Sequence, residues 1–125
     1  CGAMASTVAH DAHNLLVIGT NDQDMALAAN TLIGSQGGMC VVKNGVVLGH
    51  IPLPIAGLMG EGSPDEMALL AGRLGQAWSD IGCTLPAPFM TMALIPLACI
   101  PELRLTNRGL VDCRDYTMTS ISTGK

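Results

Sequence analysis

The sequence predicts an α/β or α+β fold, in which a mixed sheet of about five strands and two principal helices form a single layered domain. Three observations lead to this prediction. Short apolar runs alternate with two longer segments whose apolar residues recur at helical spacing. Residues that cap helices precede both longer segments. The pair Asn44-Gly45 separates two apolar, valine-rich runs, which is the strongest short signal of a β-hairpin.

Short apolar stretches predict the strands in chain order: Ala3–Ala9, Leu15–Gly19, Cys40–Lys43, Val46–His50, Phe89–Leu94 and a last short one within Val111–Ile121. The unbroken apolar run Leu15–Gly19 predicts a strand that is buried on both faces. Ile51–Pro54 continues the hairpin and is expected at a sheet edge or in a loop, because its two prolines cannot donate hydrogen bonds. The next segment, Ile55–Gly60, is apolar and contains two glycines, and we expect it to form a buried loop rather than the start of a helix.

The first helix is predicted near residues 22–34. Either Thr20 or Asn21 can cap it, and Asp22 and Asp24 occupy its first turn, where the helix dipole favours negative charge. Its apolar residues recur at helical spacing: Met25, Ala28, Ala29, Leu32 and Ile33.

The second helix is predicted near residues 64–81. Ser63 and Glu66 form a capping box, and Pro64 stands at the first helical position. We expect Trp78 on the buried face of this helix. The same face carries three further apolar residues: Met67, Leu70 and Leu74.

Composition sets limits on the class of protein. With 125 residues and 12.9 kDa, the chain fits one domain, residues 1–125. Hydrophobic residues make up 49% and charged residues 13%, so we expect some apolar surface to meet another domain or subunit. The net charge of −4 argues against nucleic acid as a partner, and no apolar run is long enough to span a membrane. Five cysteines without a CxxC pair predict free thiols and a cytoplasmic location.

The segment His10-Asp11-Ala12-His13-Asn14, called the polar loop below, holds the candidate site residues. It crowds two imidazoles, a carboxylate and an amide between two apolar stretches, which is costly unless these groups bond to one another or to a ligand. The two histidines could bind a divalent metal, form a self-satisfied corner, or contact a substrate. Because no third metal ligand follows at an obvious spacing, we assign no metal ligands here. His50 is expected to be a surface residue at a strand end.

The chain resembles the C-terminal domain of bacterial adenine deaminases, which belong to the amidohydrolase superfamily. The resemblance rests on five blocks in order: Ala5–Asn14, Val17–Asp22 with Asp24-Met25, Leu53–Met59, Pro88–Thr91, and Ile100–Thr106 with Gly109–Asp112. Two departures from the family pattern stand out. Ala12 occupies a position where the family usually has serine, and Pro96 replaces a proline that the family carries at the position of Ala98.

The resemblance implies that the chain is the accessory C-terminal domain of an enzyme that hydrolyses adenine to hypoxanthine and ammonia. That chemistry would use a divalent metal (Mn, Fe or Zn) held in a (β/α)₈ barrel elsewhere in the polypeptide. Because the sequence begins with Cys1, we expect a fragment of a longer chain, without metal and inactive alone.

The implied partners are the barrel of the same polypeptide, adenine through the parent enzyme, and further copies of that enzyme in a homo-oligomer. The polar loop would then lie toward the mouth of the barrel, with His10, Asp11, His13 and Asn14 close to the substrate. The alternative is a stand-alone binding or structural module that kept the fold without catalysis. An upstream barrel carrying an HxH motif would distinguish the two.

Overall fold

A computed structural model describes residues 1–122, so that the last three residues of the polar tail, 123–125, lie outside the described part. Within residues 1–122 the chain forms seven strands and three helices. In chain order they are β1 (Ala3–Ser6), β2 (Leu16–Gly19), α1 (Asp22–Gly34), β3 (Gly38–Lys43), β4 (Val46–Pro52), α2 (Pro64–Asp80), α3 (Pro88–Ala93), β5 (Leu103–Thr106), β6 (Gly109–Asp112) and β7 (Thr117–Thr119). None of the helices in this part is long and apolar enough to cross a membrane.

The predicted α+β class is confirmed, but the strands lie in two sheets rather than one mixed sheet of about five. One sheet has the order β2-β1-β3-β4 and the other β5-β6-β7, and each neighbouring pair is antiparallel. The alternation of strands and helices favoured a mixed sheet, since a helix between two strands usually joins parallel neighbours. Here β1 lies between β2 and β3, the two strands that α1 connects. These strands therefore run in the same direction without pairing.

The four-stranded sheet is covered by a helix on each face. Ala3 and Ala5 of β1, with Cys40 and Val42 of β3, pack against α1. The intervening residue Val41 points to the other face, where it packs against α2 in a cluster completed by five buried residues: Ile51, Leu53, Leu74, Ala77 and Trp78. Because successive side chains of a strand point to opposite faces, the central strands β1 and β3 contribute to both cores.

Both long helices begin as the sequence predicts. At α1 the Oδ1 atom of Asn21 accepts a hydrogen bond from the backbone N–H of Asp24 at 2.8 Å. At α2 the capping box is complete: Ser63 accepts from the backbone of Glu66, and the Glu66 carboxylate accepts from the backbone N–H of Ser63 at 2.7 Å. These bonds satisfy N–H groups that have no partner within the helix.

The Asn44-Gly45 hairpin is also confirmed, and it is locked by a buried carboxylate. Asn44 and Gly45 have φ angles of 51° and 75°, as a type I′ turn requires. Asp24 is only 2% exposed, and its two oxygens accept from the backbone N–H of Asn44 at 3.1 Å and of Gly45 at 2.7 Å. Hydrogen bonds from Asn21 and the hairpin backbone hold the pKa of Asp24 below its ordinary value. One carboxylate thus ties the start of α1 to the turn between β3 and β4.

Three local predictions are wrong. The segment Phe89–Leu94, predicted as a strand, forms helix α3 up to Ala93, with Leu94 as its C-cap. Pro88 stands at the first helical position, and Met92 and Ala93 are buried. Leu15–Gly19 is not buried on both faces: β2 is an edge strand and none of its residues is fully buried. The segment Ile55–Gly60 does form a loop, but its large side chains are exposed. In the last two cases the prediction of burial came from hydrophobicity alone, which does not determine whether a segment is covered.

The strands near the end of the chain also differ from the prediction. The strand β5 covers Leu103–Thr106. The last strand, predicted within Val111–Ile121, is divided between the end of β6 and β7. All three residues of β7 are exposed. The small sheet therefore has little core of its own.

Candidate functional site

The polar loop lies at one end of the four-stranded sheet, between the end of β1 and the start of β2. The backbone N–H of His13 donates to the carbonyl of Ala9 at 2.7 Å, which closes the loop into a turn. The backbone N–H of His10 donates to the carbonyl of Ala93 in α3 at 3.1 Å. The loop is thus held both by its own strand and by the C-terminal part of the chain.

The two histidines lie against each other. Their ring centroids are 5.4 Å apart and the planes meet at 70°, an edge-to-face arrangement. Both residues are half-buried, and the Nδ1 atom of His13 is buried with no hydrogen-bond partner within residues 1–122. Buried polar atoms of this kind are uncommon, and most are satisfied by water or a ligand. The edge-to-face pair thus packs within the loop and leaves the Nδ1 atom of His13 without a partner among residues 1–122.

The other two candidates, Asp11 and Asn14, are exposed and line a cavity of about 480 Å³. Its opposite wall comes from the C-terminal part of the chain and includes Thr106, Asn107 and Cys99. The remaining lining is mainly aliphatic: Leu15, Leu16, Pro96, Leu97 and Leu105, with Ala12 and Ala98. A carboxylate and amides placed around aliphatic walls can bind a small, largely apolar molecule through a few oriented hydrogen bonds.

The structure therefore divides the four predicted site residues into two pairs. Asp11 and Asn14 face the cavity, whereas His10 and His13 do not line it. The sequence reasoning missed Thr106 and Asn107, which lie more than 90 residues later and approach the loop only through the packing of β5. The Thr106 hydroxyl already donates to the carbonyl of Gly109 at 2.9 Å. No local pattern marks these two residues, although the resembling block Ile100–Thr106 ends beside them.

The described residues do not fit a metal ion. Residues 1–122 contain no group of three or more His, Cys, Asp or Glu side chains placed to hold one. In the polar loop the imidazoles of His10 and His13 pack edge to face against each other.

Thr7, three residues before the polar loop, joins it to a distant segment. Its hydroxyl accepts from the backbone N–H of Gly38 at 2.8 Å and lies 2.6 Å from the carbonyl of Gly57, to which it donates. The space is so tight that a Cβ atom on Gly57 would lie 3.2 Å from the Thr7 hydroxyl. The polar loop and the loop around Gly57, which carry two of the resembling blocks, are thus fixed relative to each other. Sequence spacing gave no sign of this contact.

His50 is not part of the cavity. It lies within β4 and is half-buried rather than a surface residue at a strand end, and its Nε2 atom is 3.0 Å from the hydroxyl of Ser35. Burial lowers the pKa of His50. All five cysteines are free thiols, and burial raises the pKa of Cys40 to about 11, which makes this thiol unreactive.

The fold and the cavity define an α+β domain with a polar loop at one sheet end, and comparison with known proteins identifies the family. Residues 1–117 match the model of the adenine deaminase C-terminal domain. The chain belongs to this family.

Several curated relatives, all named adenine deaminase, match nearly the whole chain. The protein from Clostridium botulinum (strain ATCC 19397 / Type A) is 68% identical over 120 residues, which cover 96% of this chain and 20% of that protein. The protein from Moorella thermoacetica is 57% identical, covering 98% of this chain and 21% of the relative. The protein from Kosmotoga olearia is 48% identical, covering 99% and 22%. The chain therefore spans about a fifth of the length of these relatives.

Proposed function

We propose that this chain is the accessory domain of an adenine deaminase, the enzyme that hydrolyses adenine to hypoxanthine and ammonia. The observation that carries the proposal is the 68% identity over 96% of the chain to a protein of that name. The resembling blocks also include both loops that Thr7 ties together.

In this proposal the polar loop faces the substrate site formed by the rest of the polypeptide. The Asp11 carboxylate accepts hydrogen bonds from N–H groups of a purine, and the Asn14 amide both donates and accepts. His10 and His13 act as positioning residues, through the edge-to-face contact of their rings and the bond from His10 to Ala93. The divalent metal that the resemblance implies, Mn, Fe or Zn, would be held outside residues 1–122.

The proposal includes the setting of the enzyme. Five free thiols support a reducing compartment, which we take to be the cytoplasm. The partners are a catalytic barrel of the same polypeptide and, through it, adenine. Many large apolar side chains remain exposed, which supports contact with that barrel and assembly of the whole polypeptide into a homo-oligomer.

The test replaces Asp11, Asn14, His10 or His13 by alanine in the whole polypeptide that contains this chain. Each change should lower kcat/KM for adenine by about 10²-fold, the scale of one lost orienting contact. The fold should stay intact by circular dichroism, because Asp11 and Asn14 are exposed. A matched control is His50→Ala, which removes a half-buried histidine away from the cavity and should leave kcat/KM unchanged.

A purely structural role of the polar loop would give a different result. If the polar loop only satisfies its own corner, the histidine variants should lose about 1–3 kcal/mol of stability. Their kcat/KM, measured on the folded fraction, should then equal that of the wild type. A normal rate with a lowered melting temperature would contradict the role that we propose for the loop.

A further inference from the structure

The short segment Ile55–Met59, called the apolar turn below, presents large apolar side chains to solvent. Ile55 is 43% exposed, Leu58 38% and Met59 58%. These side chains lie close together in sequence, on a loop at the same end of the sheet as the polar loop. A contiguous exposed apolar group of this kind usually marks an interaction site.

The apolar turn is held in one shape by its backbone. The N–H of Leu58 donates to the carbonyl of Ile55 at 3.1 Å, and the N–H of Ile55 donates to the carbonyl of Met59 at 3.2 Å. Ala56 and Gly57 have φ angles of 57° and 73°, and the Thr7 hydroxyl donates to the Gly57 carbonyl at 2.6 Å. A turn fixed in this way loses little conformational entropy on binding, which favours a preformed contact surface.

A groove of about 430 Å³ continues this surface along helix α2. Its walls are Pro52 and Pro54 on one side and Met67, Leu69 and Leu70 of α2 on the other. Leu69 is 58% exposed although it sits in the middle of a helix. Two carboxylates, Glu61 and Glu66, stand at the rim. Glu66 is engaged in the helix cap, and Glu61 makes no ion pair with any group in residues 1–122.

We propose that the apolar turn and this groove form the face on which the chain docks against the remaining part of its own polypeptide, a proposal that rests on the proposed function. The relatives are about five times as long as this chain, so four-fifths of their length is available to cover it. The occupant carries apolar side chains for the groove and a lysine or arginine opposite Glu61. A second copy of the chain is a poorer occupant, because pairing the same face would bring Glu61 and Glu66 near their counterparts.

The orientation that follows is specific. Thr7 fixes the apolar turn relative to the strand end that leads into the polar loop. Docking through the turn therefore places the polar loop and its cavity at the border of the same interface. The interface in this way determines where Asp11 and Asn14 meet the rest of the enzyme.

The experiment places a photo-reactive phenylalanine analogue at position 69 in the whole polypeptide and identifies the cross-linked peptides by mass spectrometry. We expect a cross-link to a segment of the same polypeptide outside residues 1–125. The matched control carries the analogue at Ile33, which is 66% exposed on α1, the helix covering the other face of the sheet, and should give no such product. Position 59 serves as a second site on the proposed face, where the wild-type Met59 is also 58% exposed.

A cross-link between two copies at positions 69 and 59, no cross-link at either, or equal products at position 33 would each overturn the proposal. Glu61→Lys should lower the yield at position 69 several-fold, while Glu102→Lys, an exposed acid in the C-terminal part, should not. If Glu102→Lys lowers the cross-link yield more than Glu61→Lys does, the proposal that a basic residue lies opposite Glu61 is wrong. The readout does not depend on activity: an enzyme that deaminates adenine without this cross-link refutes the docking face alone, and a cross-linked polypeptide without deaminase activity refutes the proposed function.

Discussion

Residues 1–83 and residues 84–122 are stabilised in different ways, and they are called the N-terminal and C-terminal regions below. The N-terminal region buries its sheet between α1 and α2, and the central strands β1 and β3 contribute to both cores. In the described C-terminal region only Met92, Ala93 and Cys113 are buried apolar residues, and β7 is fully exposed. The two regions meet through the hydrogen bond from His10 to Ala93 and through the ring contact between Trp78 and Phe89.

The largest difference should appear when one large side chain is removed from each region. Trp78 is 4% exposed, whereas Met118 in β7 is 56% exposed. Trp78→Ala should lower the free energy of unfolding by roughly 3–5 kcal/mol. Met118→Ala should change it by less than about 0.5 kcal/mol. Urea unfolding followed by circular dichroism measures both, and similar losses would show that the two regions share one core.

Glycines in the N-terminal region provide a second comparison. Gly38 has φ 144°, and a Cβ atom there would collide with the backbone carbonyl of Ile51 in the neighbouring strand. Gly38→Ala should therefore cost at least the roughly 1–3 kcal/mol typical of overpacking. Gly72, inside α2, has no atom within 4 Å of the position of an added Cβ. Gly72→Ala should stabilise the protein by about 0.5–1 kcal/mol, because alanine favours the helix.

Thermal unfolding of both glycine variants tests this contrast. A destabilising Gly72→Ala would mean that the outer face of α2 is covered, and a neutral Gly38→Ala would mean that β3 and β4 can separate without cost.

The contact between the two regions can be measured directly. The rings of Trp78 in α2 and Phe89 in α3 lie edge to face with centroids 4.7 Å apart. A double-mutant cycle with Trp78→Leu and Phe89→Leu should give a coupling of about 0.5–1.5 kcal/mol. Pairing Trp78→Leu with Leu32→Ala, which lies in the cluster on the opposite face of the sheet, should be additive. Additivity in the first cycle would show that α3 does not rest on α2.

The smallest expected effect is a pH-dependent change in melting temperature on replacement of Asp24. Its pKa is lowered in the folded chain, so its carboxylate stabilises the fold above the unfolded pKa of about 3.9 and loses this contribution as the pH falls through the folded value. Asp24→Asn should therefore lower the melting temperature near neutral pH, and the gap to the wild type should narrow in acid. A gap independent of pH would contradict the role of the carboxylate.

The sequence was most informative where local chemistry decides structure. Asn21 and Ser63 mark helix starts through their own side chains, and Asn44-Gly45 specifies its turn through backbone preference. Phe89–Leu94 shows the opposite case, because an apolar run of six residues is compatible with strand or helix, and Pro88 determines which forms.

The candidate site shows the same limit. The polar loop was recognisable because polar residues interrupt an apolar stretch, and in the structure Asp11 and Asn14 line a cavity. Thr106, Asn107 and Thr7 were not recognisable, since their positions depend on contacts between distant segments. Exposure of Ile55 and Leu58 was also missed, because hydrophobicity alone does not tell a buried loop from a binding surface.

Trp78 is the single tryptophan of the chain, and its indole is packed against Phe89. Its fluorescence consequently comes from one site, on the helix that also carries the docking groove. Any movement of α3 away from α2 would admit water to the indole and shift its emission to longer wavelength. Because α3 also holds His10 through Ala93, the same optical signal would report a change in the conformation of the polar loop. The protein thus contains a natural reporter of the contact between its two regions, without any added label.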